Sequence, residues 1–406
     1  MNRIFRAYLI VALVLAVLGA TSALAQGPSY VVTNNDLLNE TSSANFYKYD
    51  AGALQGSPLN PLPTEGSGLG GGYFALPRVS IDPNTKCVFI ADADTDDITA
   101  IQYPNVVGRF TANKNYNSQT WGMGVVSGGG YLYASYSWSN QIEVFKITNT
   151  VQHPCTLTDT GNGILTGGLN LQPVDGMTLR GNVLGAAYGD GSVGTYKVGD
   201  GTISLVSEVF ANCYSEQWGF STPTQVYITK NGKWMIADDA YGANGGNLWD
   251  VFALDGATLG TDILTYLSTG DDAVIAGSNT FVVSPDETVL YAAGTYSGEF
   301  TGKFMALSTD NFDMATGAIT GTSCKGAHVP GFYTLWQWPG NTVVAENVGK
   351  GGAVYQALAG FTVSSNSYIA VNEADTNGCL TYKFMTENPD SKTALSIQSY
   401  PGSPNQ

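Results

Sequence analysis

The chain has 406 residues and a formal net charge of -16, with charged residues making up 12%. So acidic a surface repels phosphate backbones, which excludes nucleic acid as a partner and disfavours phosphorylated small substrates unless a local lysine pocket opposes the field. Glycine (50 residues) and aromatics (11%) are abundant and no run at helical period exceeds about two turns, a balance that suits many short strands joined by tight turns.

Arg3 and Arg6, an apolar run from Ala7 to Ala20 and the triplet Ala23-Leu24-Ala25 read as a secretory leader over 1–25, cut before Gln26. The competing reading, a membrane anchor, needs about twenty apolar residues and no cleavage site. No cysteine follows the cleavage region to carry a lipid, and no later stretch is apolar for long enough to span a bilayer. The expected product is therefore exported, periplasmic or extracellular, with no membrane insertion after cleavage. Residues 26–406 exceed the size at which one core stops growing, so a repeat array or several domains is expected.

A strand of the form large apolar, apolar, x, Ala recurs along the chain. It occurs as Val88-Phe89-Ile90-Ala91, Tyr131-Leu132-Tyr133-Ala134, Val183-Leu184-Gly185-Ala186, Trp234-Met235-Ile236-Ala237 and Leu290-Tyr291-Ala292-Ala293. Looser copies at Tyr30-Val31-Val32-Thr33 and Tyr368-Ile369-Ala370-Val371 stand at the ends. Each is followed by a second strand in which two apolar residues flank one outward residue, as in Tyr47-Lys48-Tyr49, Phe145-Lys146-Ile147, Tyr196-Lys197-Val198 and Tyr382-Lys383-Phe384. Turns such as Asp82-Pro83-Asn84-Thr85, Lys230-Asn231-Gly232-Lys233 and Ser284-Pro285-Asp286-Glu287 precede the first strands and supply hairpin backbone angles.

An inner strand, the Ala strand, the aromatic-Lys strand and an outer strand make a four-stranded antiparallel unit, and radial repetition of that unit is a propeller. The expected fold is all-β, a β-propeller of seven four-stranded blades forming a single domain over 26–406. The last spacing is long by about half a blade, and Thr342-Val343-Val344-Ala345-Glu346 falls within it. That segment is expected as an insertion around 326–355, the alternative being the core of an eighth blade.

Tyr30-Val31-Val32-Thr33-Asn34-Asn35, the Ser284-Pro285-Asp286 turn and the Ala-bearing strands together resemble the bacterial lactonase-like propellers with Tyr-Val-Thr-Asn repeats. The resemblance covers nearly all of 26–406 and implies seven blades. It also implies kinship with enzymes that hydrolyse sugar lactones, one of them phosphorylated. No His, Glu and Arg grouping here matches that family's site position by position, so no catalytic residue carries over. Only Arg78, Arg109 and Arg180 follow the leader, with two histidines, His153 and His328.

In a propeller, the loops after the Ala strands and the loops leading to the next blade share one face, where a central ligand would sit. The first set is rich in carboxylates. Asp92, Asp94 and Asp96 have the alternate-oxygen spacing of a calcium loop, though the Gly and the terminal Glu of that motif are missing and a polar turn is the simpler reading. The second set carries Gln119 with Trp121 and Glu216 with Gln217 and Trp218, while Trp138 and Trp336 open on the same side. Indole rings at a polar mouth would stack on sugar rings or other flat ligands; packing between blades is the competing explanation for each.

The leading functional expectation is an exported propeller that holds a small, carbohydrate-like ligand or a protein partner on this face. The alternative is a lactonase-type hydrolase of non-phosphorylated sugar lactones with Glu216, Asp238 or Glu373 as general base, and a non-catalytic envelope scaffold comes third. Five cysteines, Cys87, Cys155, Cys213, Cys324 and Cys379, allow at most two intramolecular disulfides with one thiol over, and the pairing is left open.

Overall fold

The computed structural model describes residues 29–34, 41–50, 53–54, 59–68, 77–111, 123–136, 141–165, 174–211, 223–239, 248–263, 265–266, 278–283, 287–295, 305–321, 332–337, 342–350, 354–363, 366–374, 380–387 and 396–401. Among these residues there is no helix, and the strands form seven sheets in chain order. Sheet 1 holds Ser29–Asn34 and Ser43–Asp50, with Ala53–Leu54 and Leu59–Pro63 both paired to the latter. Sheet 2 runs Val79–Ile81, Val88–Asp92, Asp97–Gln102, Asn105–Thr111, and sheet 3 runs Met123–Gly128, Tyr131–Tyr136, Gln141–Thr148, Thr156–Leu165. Sheet 4 comprises Val174–Arg180, Val183–Tyr188, Ser192–Gly199 and Thr202–Phe210.

Sheet 5 comprises Pro223–Ile228, Trp234–Asp239 and Leu248–Asp255, with Thr258–Asp262 and Thr265–Tyr266 sharing its outer place. Sheet 6 orders Ser278–Val283, Val289–Thr295 and Met305–Phe312, and its outer strand Ile319–Gly321 pairs with the last of these. The segment expected as an insertion contains the hairpin Phe332–Gln337 and Thr342–Lys350, which joins sheet 6 through a parallel bridge, Leu307 to Leu335. Sheet 7 runs Val354–Val363, Asn366–Ala374, Leu380–Glu387, Ser396–Pro401.

Every Ala-bearing strand is the second of its sheet or, in sheet 1, the first described, and every aromatic-Lys strand or its variant follows it antiparallel. The turn residues behave as expected: Asp82 Oδ1 accepts from Asn84 N, Thr85 N and Thr85 Oγ1, while Gly232 adopts φ +67°, an angle that glycine reaches without strain. Lys146 and Lys197 point outward, exposed between buried neighbours.

Hydrophobic cores lie between successive sheets. On sheet 3, Leu132, Ala134, Tyr136, Phe145 and Ile147 face sheet 2, whereas Tyr133, Ile142 and Val144 face Met177, Leu184 and Ala186 of sheet 4. Sheet 4 in turn offers Ala187 and Val193 to Met235 and Ala237 of sheet 5, whose Ile236, Trp249 and Val251 meet Phe281 and Leu290 of sheet 6. Trp249 and Phe281 close that junction edge to face at 5.0 Å. Burial of one such side chain contributes about 1.5–3 kcal/mol, so each junction is held by several of them.

Ala134, Ala186 and Ala237 thus present their small side chains to the preceding sheet, and close approach is their reason. Sheet 2 is one residue out of phase. Ala91 faces the following sheet with Phe89, while Val88 and Ile90 pack on Ala44 and Phe46 of sheet 1, so the position that meets the preceding sheet at the strand's end is Asp92.

Candidate functional site

The innermost strands of successive sheets pack against one another, and four of them begin with a one-residue register slip. It falls between Val174 and Gly176, Pro223 and Val226, Ser278 and Thr280, and Tyr355 and Ala357. The extra residues are Asp175, one of Thr224 and Gln225, Asn279 and Gln356. A bulge re-aims its extra residue out of the ladder, and here the same device recurs at the same end of four sheets with polar residues at each. That end is the one where the Ala strands finish and the aromatic-Lys strands start.

The two ends treat carboxyl groups differently. Asp175 is only 2% exposed, and burial followed by the Asp190 charge pushes its carboxyl up to about 8. Burial also lifts Asp92 to about 6 against the opposing Thr64 and Thr99 hydroxyls, and lifts Asp96 to about 7 with help from Asp97 and Asp94. Burial and Asp190 raise Glu208, which pairs with Gly194 near this end. At the opposite end carboxylates build turns: Asp82 as described, Glu287 accepting from Tyr227 Oη and Lys230 N, and Asp313 held below its ordinary value by Thr316 Oγ1 and the Ala315 amide.

Asp92, Asp94 and Asp96, the residues with calcium-loop spacing, have separate surroundings. Asp92 Oδ1 accepts from Thr64 Oγ1 at 2.7 Å and Oδ2 from Thr99 Oγ1 at 2.8 Å, inside the junction of sheets 1 and 2. Asp94 accepts from Ser67 Oγ at 2.6 Å, Asp97 pairs with Arg109, and Asp96 sits at φ +60° with a buried, unpartnered Oδ1. Among the described residues no group of three or more His, Cys, Asp or Glu side chains converges on a point where a metal ion would fit.

Asp238 is buried, and its Oδ1 accepts the Gln225 amide at 2.8 Å, so it steadies the bulged start of the neighbouring strand. The Gln225 side chain bridges onward to sheet 6, giving Nε2 to Phe281 O and accepting Phe281 N. Glu373 lies in Asn366–Ala374 opposite Thr381, and Trp336 in Phe332–Gln337 opposite Val343; their side chains fall outside the described residues. Gln119, Trp121, Trp138, Glu216, Gln217 and Trp218 also lie outside them. Two tryptophans that are described serve packing: Trp249 is buried, and Trp234 gives Nε1 to Met314 O of the next sheet.

Cys87 and Cys155 form a disulfide, Sγ to Sγ 2.09 Å, that ties sheet 2 to sheet 3.

Radially packed antiparallel sheets of this kind define a β-propeller. No protein-family pattern and no curated protein matches the chain by sequence. Solved structures do match in fold. A candidate 6-phosphogluconolactonase from Bacteroides fragilis has 18% identity and a TM-score of 0.52, covering 72% of this chain and 79% of its own. A second candidate of that name, from Bacteroides uniformis, has 14% identity and a TM-score of 0.52, with coverages of 73% and 82%. A protein from Lactobacillus plantarum has 12% identity and a TM-score of 0.55, with coverages of 80% and 83%. At these identities the likeness is one of fold, the β-propeller.

Proposed function

We propose that the chain is an exported, seven-bladed propeller that holds a small, hydroxyl-rich, carbohydrate-like ligand at the end where the innermost strands begin. Asp175 carries this reading. A bulge marks its position at the start of an innermost strand, and its buried carboxyl, raised to about 8, stays largely protonated at neutral pH. A neutral carboxyl both donates and accepts a hydrogen bond, which matches a sugar hydroxyl and adds no charge to an already acidic surface. The leader-like start and the Cys87–Cys155 bridge support an oxidising, extracytoplasmic setting.

The test is a thermal-shift and calorimetric panel of neutral sugars and sugar lactones. Binding by the parent chain and its loss in Asp175→Leu, with partial retention in Asp175→Asn, is the expected pattern. A parent chain that ignores the whole panel overturns the reading and leaves the scaffold.

A lactonase-type hydrolysis of non-phosphorylated sugar lactones is the second reading, favoured by the names of the Bacteroides neighbours. Glu216, Asp238 or Glu373 would serve as base, and a carboxyl near 7 such as Asp96 suits proton transfer at neutral pH. Lactone turnover abolished by one carboxylate substitution is its signature. No turnover across the panel removes it.

A further inference from the structure

We propose that the outer edge of sheet 4, Thr202–Phe210, docks an extended segment of a basic partner protein whose alternate side chains read apolar, basic, apolar. Thr202–Phe210 pairs with Ser192–Gly199 on one side and with no described strand on the other, so its outward N–H and C=O groups form an open template. Leu205, Val206 and Phe210 stand on it, 47%, 42% and 49% exposed, whereas the other exposed large apolar side chains among the described residues stand singly. Scattered apolar residues are ordinary on a surface; three on one edge make a patch. The usual protections of an edge are thin here. The strand has no lysine, arginine or proline, and its one bulge sets Val206 as the extra residue between Leu205 and Ser207.

Register sets what the edge offers. Leu205 lies opposite Tyr196, Glu208 opposite Gly194 and Phe210 opposite Ser192, so these three share the face that turns Tyr188 and Tyr196 toward sheet 3. Glu208 is the strand's one ionisable side chain, with an apolar residue on either side of it on that face. Tyr188 Oη lies 2.7 Å from where a Cβ on Gly194 would be, so what meets Glu208 from within the sheet is a phenol and not a cation. No lysine or arginine among the described residues pairs with Glu208. The start of the edge is already engaged, because Asn162 of sheet 3 donates Nδ2 to Gly201 O at 2.9 Å, and the stretch from Leu205 to Phe210 is the open part.

A strand laid on this edge gains main-chain hydrogen bonds and sends every second side chain onto one face. Its residue opposite Glu208 meets an unpaired carboxylate on a chain of net charge -16, which selects lysine or arginine. The residues two positions before and after that one meet Phe210 and Leu205, which selects apolar side chains. A second copy of the chain fits worse. Self-pairing would put the Glu208 of each copy on one short edge and bring two strongly acidic molecules together.

The probe is a fluorescein-labelled synthetic peptide, Leu-Thr-Arg-Thr-Leu-Thr, titrated into the full chain by fluorescence polarisation, with sedimentation of the chain alone as a parallel readout. Saturable binding on the order of 100 micromolar is expected, weakened about tenfold or more by glutamate in place of the peptide's arginine, by scrambling to Leu-Leu-Arg-Thr-Thr-Thr, or by methylating the backbone nitrogens that would donate to the edge. Glu208→Lys should lose the arginine peptide and gain the glutamate one, and Phe210→Ser should weaken the arginine peptide about threefold or more. Asp175→Asn should leave binding unchanged, which separates this edge from the ring mouth. Should Glu208→Lys fail to fold, the scrambled and methylated peptides on the parent chain decide. No saturable binding, equal affinity for the scrambled or methylated peptide, or a folded Glu208→Lys that still prefers arginine overturns the proposal. A chain that dimerises alone, and ceases to in Phe210→Ser, assigns the edge to a second copy and overturns it as well.

Discussion

Thr64 donates its hydroxyl to Asp92 Oδ1 at 2.7 Å across 28 positions of sequence, joining the outer edge of sheet 1 to the Ala strand of sheet 2. Thr99 Oγ1 completes the latch by donating to Asp92 Oδ2 at 2.8 Å, and it lies 3.0 Å from Thr64 O. Thr64→Val keeps the shape and strips Oδ1 of its donor, so urea unfolding should show a loss of about 1–3 kcal/mol. The same change should raise the Asp92 carboxyl further, because the Thr64 bond is what opposes its desolvation. Thr64→Ser should restore most of the stability; equal losses in Val and Ser variants would point to packing rather than the hydroxyl.

Gly66 tests the closeness of the same junction. A Cβ there would fall 2.5 Å from Asp92 Cβ and 2.6 Å from Asp92 Cγ, nearer than real Cβ contacts come. Gly66→Ala should therefore destabilise by about 1–3 kcal/mol, the usual cost of overpacking. Combining it with Asp92→Ala should cost less than the two single losses added together, as a double-mutant cycle would report.

The raised carboxyls make stability fall with rising pH. In the unfolded chain each would titrate near 3.8; in the folded one Asp92 holds its proton to about 6, Asp96 to about 7 and Asp175 to about 8. Between these limits the folded state binds more protons than the unfolded state, so each group's contribution is full below about pH 4 and declines until its folded value is reached. The slope is at most about 1.4 kcal/mol per pH unit for each titrating group. Thermal midpoints should drop from pH 5 to pH 8, and Asp175→Asn should flatten the limb above pH 7, where Asp175 holds most of the protons that the three still have to lose. A limb of unchanged slope in that variant would refute the assignment.

The strand pairs were legible because each blade repeats two short apolar runs around a turn of Gly, Asn or Pro, and those signals are local. Asp175 was not legible: a bulge is a register event, and Val174-Asp175-Gly176 has no composition that marks one. The sequence makes Asp92 a loop oxygen because the Ala motif places Ala91 in the common phase, whereas the sheet slips by one residue and buries the next side chain. Glu143 is buried for a related reason. Both faces of these sheets are covered, so alternation no longer separates core from solvent, and Glu143 shares its face with Phe145. The Trp and Gln echo at Gln119-Thr120-Trp121 and Gln217-Trp218 lies outside the described residues.

Cys87 and Cys155 are 68 residues apart, so spacing could not pair them, yet the bridge spans the junction of sheets 2 and 3. Closing a loop of that length restricts the unfolded chain by about 4 kcal/mol on the chain-entropy estimate. Reduction, or Cys87→Ser with Cys155→Ser, should lower the urea midpoint by a corresponding amount. An unchanged midpoint after verified reduction would show that the bridge contributes nothing to stability.

Three sheets are tied at the opposite end by Arg180, Tyr227 and Glu287. Arg180 of sheet 4 donates Nη2 to Tyr227 Oη at 3.3 Å and Nε to Ile228 O at 3.4 Å, with its guanidinium carbon 5.9 Å from the Tyr227 ring centre. Tyr227 Oη donates a hydrogen bond to Glu287 Oε1 at 2.7 Å, and the Lys230 backbone amide donates to the same oxygen at 2.6 Å. Glu287 is buried and adopts φ +59°, a backbone conformation that side-chain-bearing residues rarely take. Tyr227→Phe deletes one hydroxyl that both receives from Arg180 and gives to Glu287, and should destabilise by about 1–3 kcal/mol. Arg180→Ala should cost a comparable amount, and the two together less than their sum, because they remove one shared chain. Strict additivity in that cycle would mean that the three residues act separately, and the coupling of sheets 4 to 6 would then rest on their apolar cores alone.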